Sequence, residues 1–112
     1  MAPILRGEVR WADLNTTRGH EQAGHRPVLI LSHDLFNERS GTVIAIALTS
    51  HRPRAGLPLV LESKADGLPK PTYIKISQVR TVAAERIGRR IARASDQELA
   101  RVIDGLNEIL GR

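Results

Sequence analysis

The sequence predicts a mainly β fold, a small antiparallel β-barrel with an amphipathic helix packed on it at the C-terminus. Several short apolar or alternating runs are separated by turns rich in glycine and proline, which is the pattern of an all-β core. Residues 95–112 then change to helical periodicity. A length of 112 residues suits one domain with a modest core. We therefore expect residues 1–112 to form a single domain.

Three strands are expected in the N-terminal half. Residues 6–14 alternate in polarity around Val9 and Trp11, and at such a position a tryptophan is more often core than ligand. Residues 27–32 and 42–48 are almost entirely apolar, which predicts strands buried on both faces. The intervening residues 33–40 are expected to form a short helix or a wide turn.

The C-terminal half is expected to add shorter strands and the helix. The predicted strands are residues 59–62, 72–76 with a continuation through 77–82, and 89–93; residues 83–88 are expected to form a helical turn. Ser95 and Glu98 then form an S-x-x-E capping box at the start of a helix. Its predicted apolar stripe consists of Leu99, Val102, Ile103, Leu106, Ile109 and Leu110.

Charge and composition limit the kinds of function. The net charge is +5, and all but three of the 17 basic residues are arginines, whose planar forks match phosphate geometry. A polyanionic partner is one interpretation, and a charge that only aids solubility is the other. The absence of cysteine excludes disulfides, thiolate nucleophiles and cysteine-ligated metals. No apolar run approaches the roughly 18 residues of a membrane span, so a cytoplasmic location without membrane contact is expected.

The most distinctive segment is residues 19–27, which read GHEQAGHRP and precede an apolar strand. Glycines at both ends allow the backbone to approach a ligand closely, so a site on this loop is expected. The two glycines resemble the start of a phosphate-binding P-loop, but neither the required lysine nor a helix follows. The four histidines have no metal-site spacing, and we expect neither metal nor cofactor.

Taken in order, four segments resemble the MazF/PemK (Kid) family of toxin endoribonucleases. Residues 6–14 (RGEVRWADL) are similar to its first strand, and residues 19–27 to its G-S-E-Q-x-G-x-R-P loop. Residues 43–50, ending in ALTS, are similar to its third strand with a terminal threonine. Residues 76–81 (ISQVRT) are similar to its segment with Gln and a basic residue. His20 and Ser77 depart from the family's usual serine and acidic residue.

The resemblance implies an SH3-like β-barrel that forms a homodimer and cleaves single-stranded RNA at short sequences without a metal. It also implies a cognate MazE-like antitoxin that inserts a disordered C-terminal tail. Carried over by position, Arg26 and Thr49 would be the catalytic pair, and Glu21 lies where a family glutamate matters for activity. The other residues expected to contact substrate are His20, Gln22, His25, Arg52, Arg54 and Gln78.

The chemistry of these residues leaves some roles open. Arg26 can donate several hydrogen bonds to phosphate, but a guanidinium holds its proton at neutral pH and is a poor base. Glu21 is the nearest candidate base, and His20 or His25 could replace it. In the absence of the resemblance, an ion pair between Arg26 and an acidic neighbour would be the simpler interpretation. Two other functions are also considered: a non-catalytic CcdB-like gyrase poison of the same fold, and a plain nucleic-acid-binding barrel.

Overall fold

The structure is a computed structural model that describes residues 3–14, 24–52 and 60–111. Six strands and two α-helices occur in these ranges, with a short 3₁₀ turn at Ala84–Arg86. In chain order they are β1 (Glu8–Asp13), β2 (His25–Ile30), α1 (Asp34–Ser40), β3 (Thr42–Thr49), β4 (Val60–Glu62), β5 (Tyr73–Ala83), β6 (Ile87–Arg93) and α2 (Asp96–Ile109).

The six strands form one antiparallel sheet in the order β4-β5-β3-β2-β1-β6. The predicted mainly β architecture with a C-terminal helix is therefore confirmed. Within the described ranges the sheet is not closed into a continuous barrel. The segment that follows β4 meets β6 only at an isolated bridge between Asp66 and Arg93.

Apolar side chains are buried on both faces of the sheet. One cluster, which includes Leu29, Ile46 and Leu48, packs against Leu99 and Val102 of α2. The other cluster contains Val28, Ile30 and smaller residues of β1 and β3 on the opposite face. The prediction of strands buried on both faces is thus confirmed for β3 and for the second half of β2.

Strand β5 is continuous. The run expected at 72–76 and its expected continuation through 77–82 form one strand of 11 residues, Tyr73–Ala83. Its pairing with β3 shifts between Ile46, opposite Val79, and Leu48, opposite Ile74. The extra residues of β5 are accommodated in this bulge, which interrupts the alternation of buried and exposed side chains along the strand.

The C-terminal helix begins as predicted, but only part of the capping box forms. Ser95 is the N-cap, and its Oγ accepts a hydrogen bond of 3.1 Å from the backbone N–H of Glu98. The carboxylate of Glu98 does not return to the cap; it accepts bonds from the segment after β4. The apolar stripe is buried at Leu99 and Val102, whereas Leu110 is 77% exposed.

A buried ion pair joins the start of β1 to its surroundings. Glu8, only 5% exposed, accepts hydrogen bonds of 2.9 Å from Arg10 Nη1 and from the backbone N–H of Leu5. Arg10 also donates through Nε to the carbonyl of Gly88 in β6, at 2.8 Å. These contacts fix β1 against β6. Neither of the described helices is long and apolar enough to span a membrane.

Candidate active site

A cavity of about 400 Å³ opens at one end of the sheet, where β2 begins and β3 ends. Strands β1, β2 and β3 form one side of it, and residues 68–72, between β4 and β5, form another. Ile91 of β6 also lines it. Five different parts of the chain therefore meet around a space large enough for a nucleotide-sized ligand.

Arg26 enters this cavity from the second residue of β2. Its backbone lies beside Ala12 of β1, and the preceding Gly24 adopts a positive φ of 86°. The carbonyl of Gly24 accepts a bond of 3.0 Å from the N–H of Leu14, which ties the strand ends together. Arg26 Nε is buried, and among the described residues it has no hydrogen-bond partner. A buried donor without a partner is costly, so this group is available for a ligand.

Thr49 is the last residue of β3 and reaches the same cavity. It is only 9% exposed, and its Oγ1 accepts a hydrogen bond of 3.1 Å from the backbone N–H of His51. The antiparallel register places Val28 beside Ala47, so the start of β2 lies toward the end of β3, and Arg26 and Thr49 line the same cavity. Because the hydroxyl accepts this bond through its oxygen, its O–H is left to donate to a ligand.

The charged side chains among the described residues that line the cavity are all basic. Arg26 and Lys70 are the basic side chains among the described lining residues, and His25 and His51 add imidazoles. None of the described residues that line the cavity is acidic. Nor do any three described His, Asp or Glu side chains come together in a way that could hold a metal ion. The chemistry of the lining therefore suits an anion held by direct hydrogen bonds, such as a phosphate group.

The structure brings together some of the predicted site residues and separates others. His25, Arg26 and Thr49 all line the cavity. Arg52 is exposed three residues beyond Thr49, and Gln78 is exposed on β5 within the bulged stretch; neither lines the cavity. The remaining predicted residues lie outside the described residues: His20, Glu21, Gln22 and Arg54.

Three cavity residues were missed or misjudged from the sequence. Trp11 was expected in the core, but it is 36% exposed and lines the cavity. The pairing of β1 with β6 shifts on either side of Arg10, which breaks the simple alternation on which that expectation rested. His51 lies only two residues after Thr49, a proximity that would have signalled it. Lys70 has no such signal, because a proline- and glycine-rich loop carries it.

Comparison with known proteins agrees with this geometry. The family described as PemK-like, MazF-like toxin of type II toxin–antitoxin systems matches residues 5–110. The endoribonuclease EndoA of Bacillus subtilis is 33% identical over 105 residues, which cover 92% of this chain and 90% of the relative.

Two solved structures are also similar. MazF from Deinococcus radiodurans has a TM-score of 0.86 and 27% identity, with all of both chains covered. A chain of a MazE–MazF complex from the same organism has a TM-score of 0.75 and 25% identity over 98% of both chains. Since the family match spans nearly the whole sequence, this chain belongs to the PemK-like, MazF-like family of toxins of type II toxin–antitoxin systems.

Proposed function

We propose that this protein is an endoribonuclease toxin that cleaves single-stranded RNA at specific short sequences without a metal ion and thereby inhibits translation. The observation that carries the proposal is that Arg26 and Thr49 share a cavity without acidic lining, with Arg26 Nε buried and unpaired among the described residues. The similarity to an endoribonuclease, EndoA, supports the same activity.

RNA supplies its own nucleophile for this reaction. The 2′-hydroxyl loses its proton to a base and attacks the adjacent phosphorus, so that a 2′-O–P bond forms. The bond from phosphorus to the 5′-oxygen breaks, and that oxygen takes up a proton. The products are a 2′,3′-cyclic phosphate and a 5′-hydroxyl end. The protein must therefore move protons and stabilise the extra negative charge on the phosphate oxygens.

Arg26 is proposed to stabilise that charge. Its guanidinium donates hydrogen bonds in a fixed fork, and its half-buried position strengthens them by excluding water. Thr49 is proposed to donate its hydroxyl proton to an oxygen of the same phosphate, since its oxygen is held by the His51 N–H. Arg26 is also proposed to donate a proton to the leaving 5′-oxygen.

The base is proposed to be Glu21, which precedes β2 in the sequence and lies outside the described residues. A carboxylate suits this role at neutral pH, whereas a guanidinium, which holds its proton, does not. His25, which lines the cavity, is the alternative base, together with His20. Replacement of Glu21 by glutamine should abolish cleavage if the carboxylate is the base and leave it nearly unchanged if an imidazole is.

Recognition of the RNA sequence is proposed to involve residues around the cavity rather than its floor. Arg52 and Gln78 are exposed and can contact bases or phosphates that extend beyond it. His20, Gln22 and Arg54, which lie outside the described residues, are proposed as further contacts. The amide of Gln78 can hydrogen-bond a base edge, while the arginines contact phosphates. Trp11, which is partly exposed at the cavity, offers a surface for base stacking.

The proposed partners follow from the family. A MazE–MazF complex occurs among the similar structures, which supports a MazE-like antitoxin for this chain. Its disordered tail is proposed to cover the cavity and exclude RNA. We also propose that the chain forms a homodimer and that its strands have an SH3-like arrangement. Its site of action is proposed to be the cytoplasm, where mRNA is translated.

The deciding experiment is RNA cleavage in EDTA. Purified protein is incubated with a long single-stranded RNA beside the Arg26→Ala variant and an Arg89→Ala control, which removes one exposed arginine of β6 outside the cavity. Discrete fragments from the wild type and from Arg89→Ala, but not from Arg26→Ala, are expected. Intact RNA in every lane would refute the nuclease and favour a non-catalytic binder.

A further inference from the structure

The wall of the cavity between β4 and β5 carries a positive charge that the proposed chemistry does not use. Residues 63–72, which we name the strap, connect β4 to β5 and bring Lys70 to the cavity. Lys70 is exposed and forms no ion pair with any residue that the structure describes. The other lysine of the strap, Lys64, lies 3.5 Å from Glu62 and does not line the cavity.

Helix α2 holds the first part of the strap. Glu98, 6% exposed, accepts a hydrogen bond of 2.7 Å from Ser63 Oγ at one carboxylate oxygen. Its other oxygen accepts a bond of 2.6 Å from the backbone N–H of Lys64. Both oxygens of one buried carboxylate are therefore committed to the strap, and charged acceptors make the stronger hydrogen bonds.

Strand β6 holds the middle of the strap. Asp66 and Arg93 exchange two backbone hydrogen bonds, of 3.1 and 3.2 Å. The next residue, Gly67, has a φ of +107°, and a Cβ at this position would lie 2.7 Å from the carbonyl oxygen of Ile91. Only glycine allows this approach, so the strap lies directly on β6.

The end of the strap is closed by its own contacts. The N–H of Ser63 donates to the carbonyl of Thr72 at 2.8 Å, and Thr72 Oγ1 donates to the carbonyl of Lys70 at 3.0 Å. The backbone on both sides of Lys70 is thus fixed relative to β6 and α2. Only the lysine side chain itself remains free to move into the cavity.

The geometry points to Lys70 as the binding residue for a second RNA phosphate, next to the one at Arg26, with Glu98 as a positioning residue. This inference rests on the proposed ribonuclease function. Lys70 and Arg26 lie on different walls of one cavity, and successive phosphates of a single strand can contact both walls. Lysine suits such a contact because it acts as a mobile point charge on a flexible stem.

The test of Lys70 is the salt dependence of RNA binding. A single-stranded RNA with 2′-O-methyl groups cannot be cleaved, and its affinity is measured by fluorescence anisotropy for wild type, Lys70→Gln, Lys70→Arg and Lys64→Gln. One lost phosphate contact lowers the log–log slope by about 0.7, so between about 50 and 200 mM salt the wild type should lose about 2.6-fold more affinity than Lys70→Gln. Lys70→Arg and Lys64→Gln should match the wild type.

Two results would overturn the role of Lys70: equal slopes for Lys70→Gln and wild type, or an equally reduced slope for Lys64→Gln. Cleavage of unmodified RNA is measured in parallel. A wild type that binds RNA but never cleaves it would refute the proposed nuclease, while the slopes still decide on Lys70. A wild type that binds no RNA would refute both.

The positioning role of Glu98 is tested with Glu98→Gln, which cannot accept the Ser63 hydroxyl and the Lys64 N–H together. We expect its salt slope to fall toward that of Lys70→Gln, with no further change in the double variant. A protein that is less stable to heat but keeps the wild-type slope would show that Glu98 serves stability alone. If Glu98→Gln does not fold, Ser63→Ala replaces it; it removes the 2.7 Å bond to Glu98 and the 3.2 Å bond that Ser63 Oγ accepts from the Ala65 N–H, and it keeps the bond from the Lys64 N–H to Glu98.

Discussion

Replacement of Thr49 by valine separates the chemistry of its hydroxyl from its packing. Valine has nearly the same shape and is compatible with the end of a strand, so the 9% exposed site should keep its packing. What the change removes is one hydroxyl. That hydroxyl accepts the His51 N–H at 3.1 Å and, in the proposed mechanism, donates to the scissile phosphate.

Loss of these two contacts should have effects of different size on the stability of the protein and on RNA cleavage. The His51 N–H belongs to an exposed residue, and water can replace its lost partner. The free energy of unfolding should therefore fall by only about 0.5–1 kcal/mol. A hydrogen bond to a charged phosphate contributes about 1.5–3 kcal/mol, which corresponds to a loss of about 10- to 150-fold in kcat/KM.

The assay combines urea unfolding with cleavage of a fluorogenic single-stranded RNA. Thr49→Ser keeps the hydroxyl and should retain most of the activity. Thr81→Val makes the same isosteric change at an exposed site on β5, outside the cavity, and should leave both quantities unchanged. If Thr49→Val cleaves RNA as fast as Thr81→Val does, the hydroxyl does not contact the phosphate and this part of the mechanism is wrong.

Three further substitutions test the site and its support. Arg26→Lys keeps the positive charge but loses the planar array of guanidinium N–H donors, so kcat should fall by about 100-fold. Thermal unfolding should show little change in stability. Glu8→Ala leaves the largely buried Arg10 without its carboxylate partner at 2.9 Å and should lower the free energy of unfolding by about 3 kcal/mol in a urea titration. A loss below about 1 kcal/mol would mean that water replaces the carboxylate as the partner of Arg10. Gly67→Ala places a methyl group 2.7 Å from the Ile91 carbonyl oxygen and should lower the free energy of unfolding by more than about 1 kcal/mol in the same urea titration. An unchanged midpoint of unfolding would contradict the close approach of the strap to β6.

Local sequence signals predicted most of the fold because they depend on near neighbours. Periodicity or contacts within a few residues determine the strands, the N-cap at Ser95 and the burial of the first apolar residues of α2. The direction of the Glu98 side chain could not be predicted in this way. Its partners Ser63 and Lys64 lie 35 and 34 residues away in sequence, and they compete successfully with the local cap.

The site residues on strands could be predicted from the sequence, whereas the site residue on a connecting segment could not. Arg26 and Thr49 fall on neighbouring strands whose antiparallel register brings the start of one beside the end of the other. Lys70 belongs to the strap, whose position depends on a bridge to β6 and on an approach that only Gly67 permits. Neither contact leaves a periodic signal in the sequence. The exposure of Trp11 was missed for a related reason, since a register shift between strands is not visible in one strand alone.

The placement of these groups suggests that catalysis and binding can be altered separately. Arg26 is carried by a central strand with neighbours on both sides, so its backbone is fixed by the sheet itself. Lys70 is fixed instead by α2 and β6 through the strap. Substitutions at the strap should therefore weaken RNA binding and raise KM while kcat is retained, because the groups at the scissile phosphate do not move. Substitutions at Arg26 or Thr49 should instead lower kcat and leave KM nearly unchanged. Comparison of the change in kcat with the change in KM therefore shows whether a residue acts in catalysis or in binding.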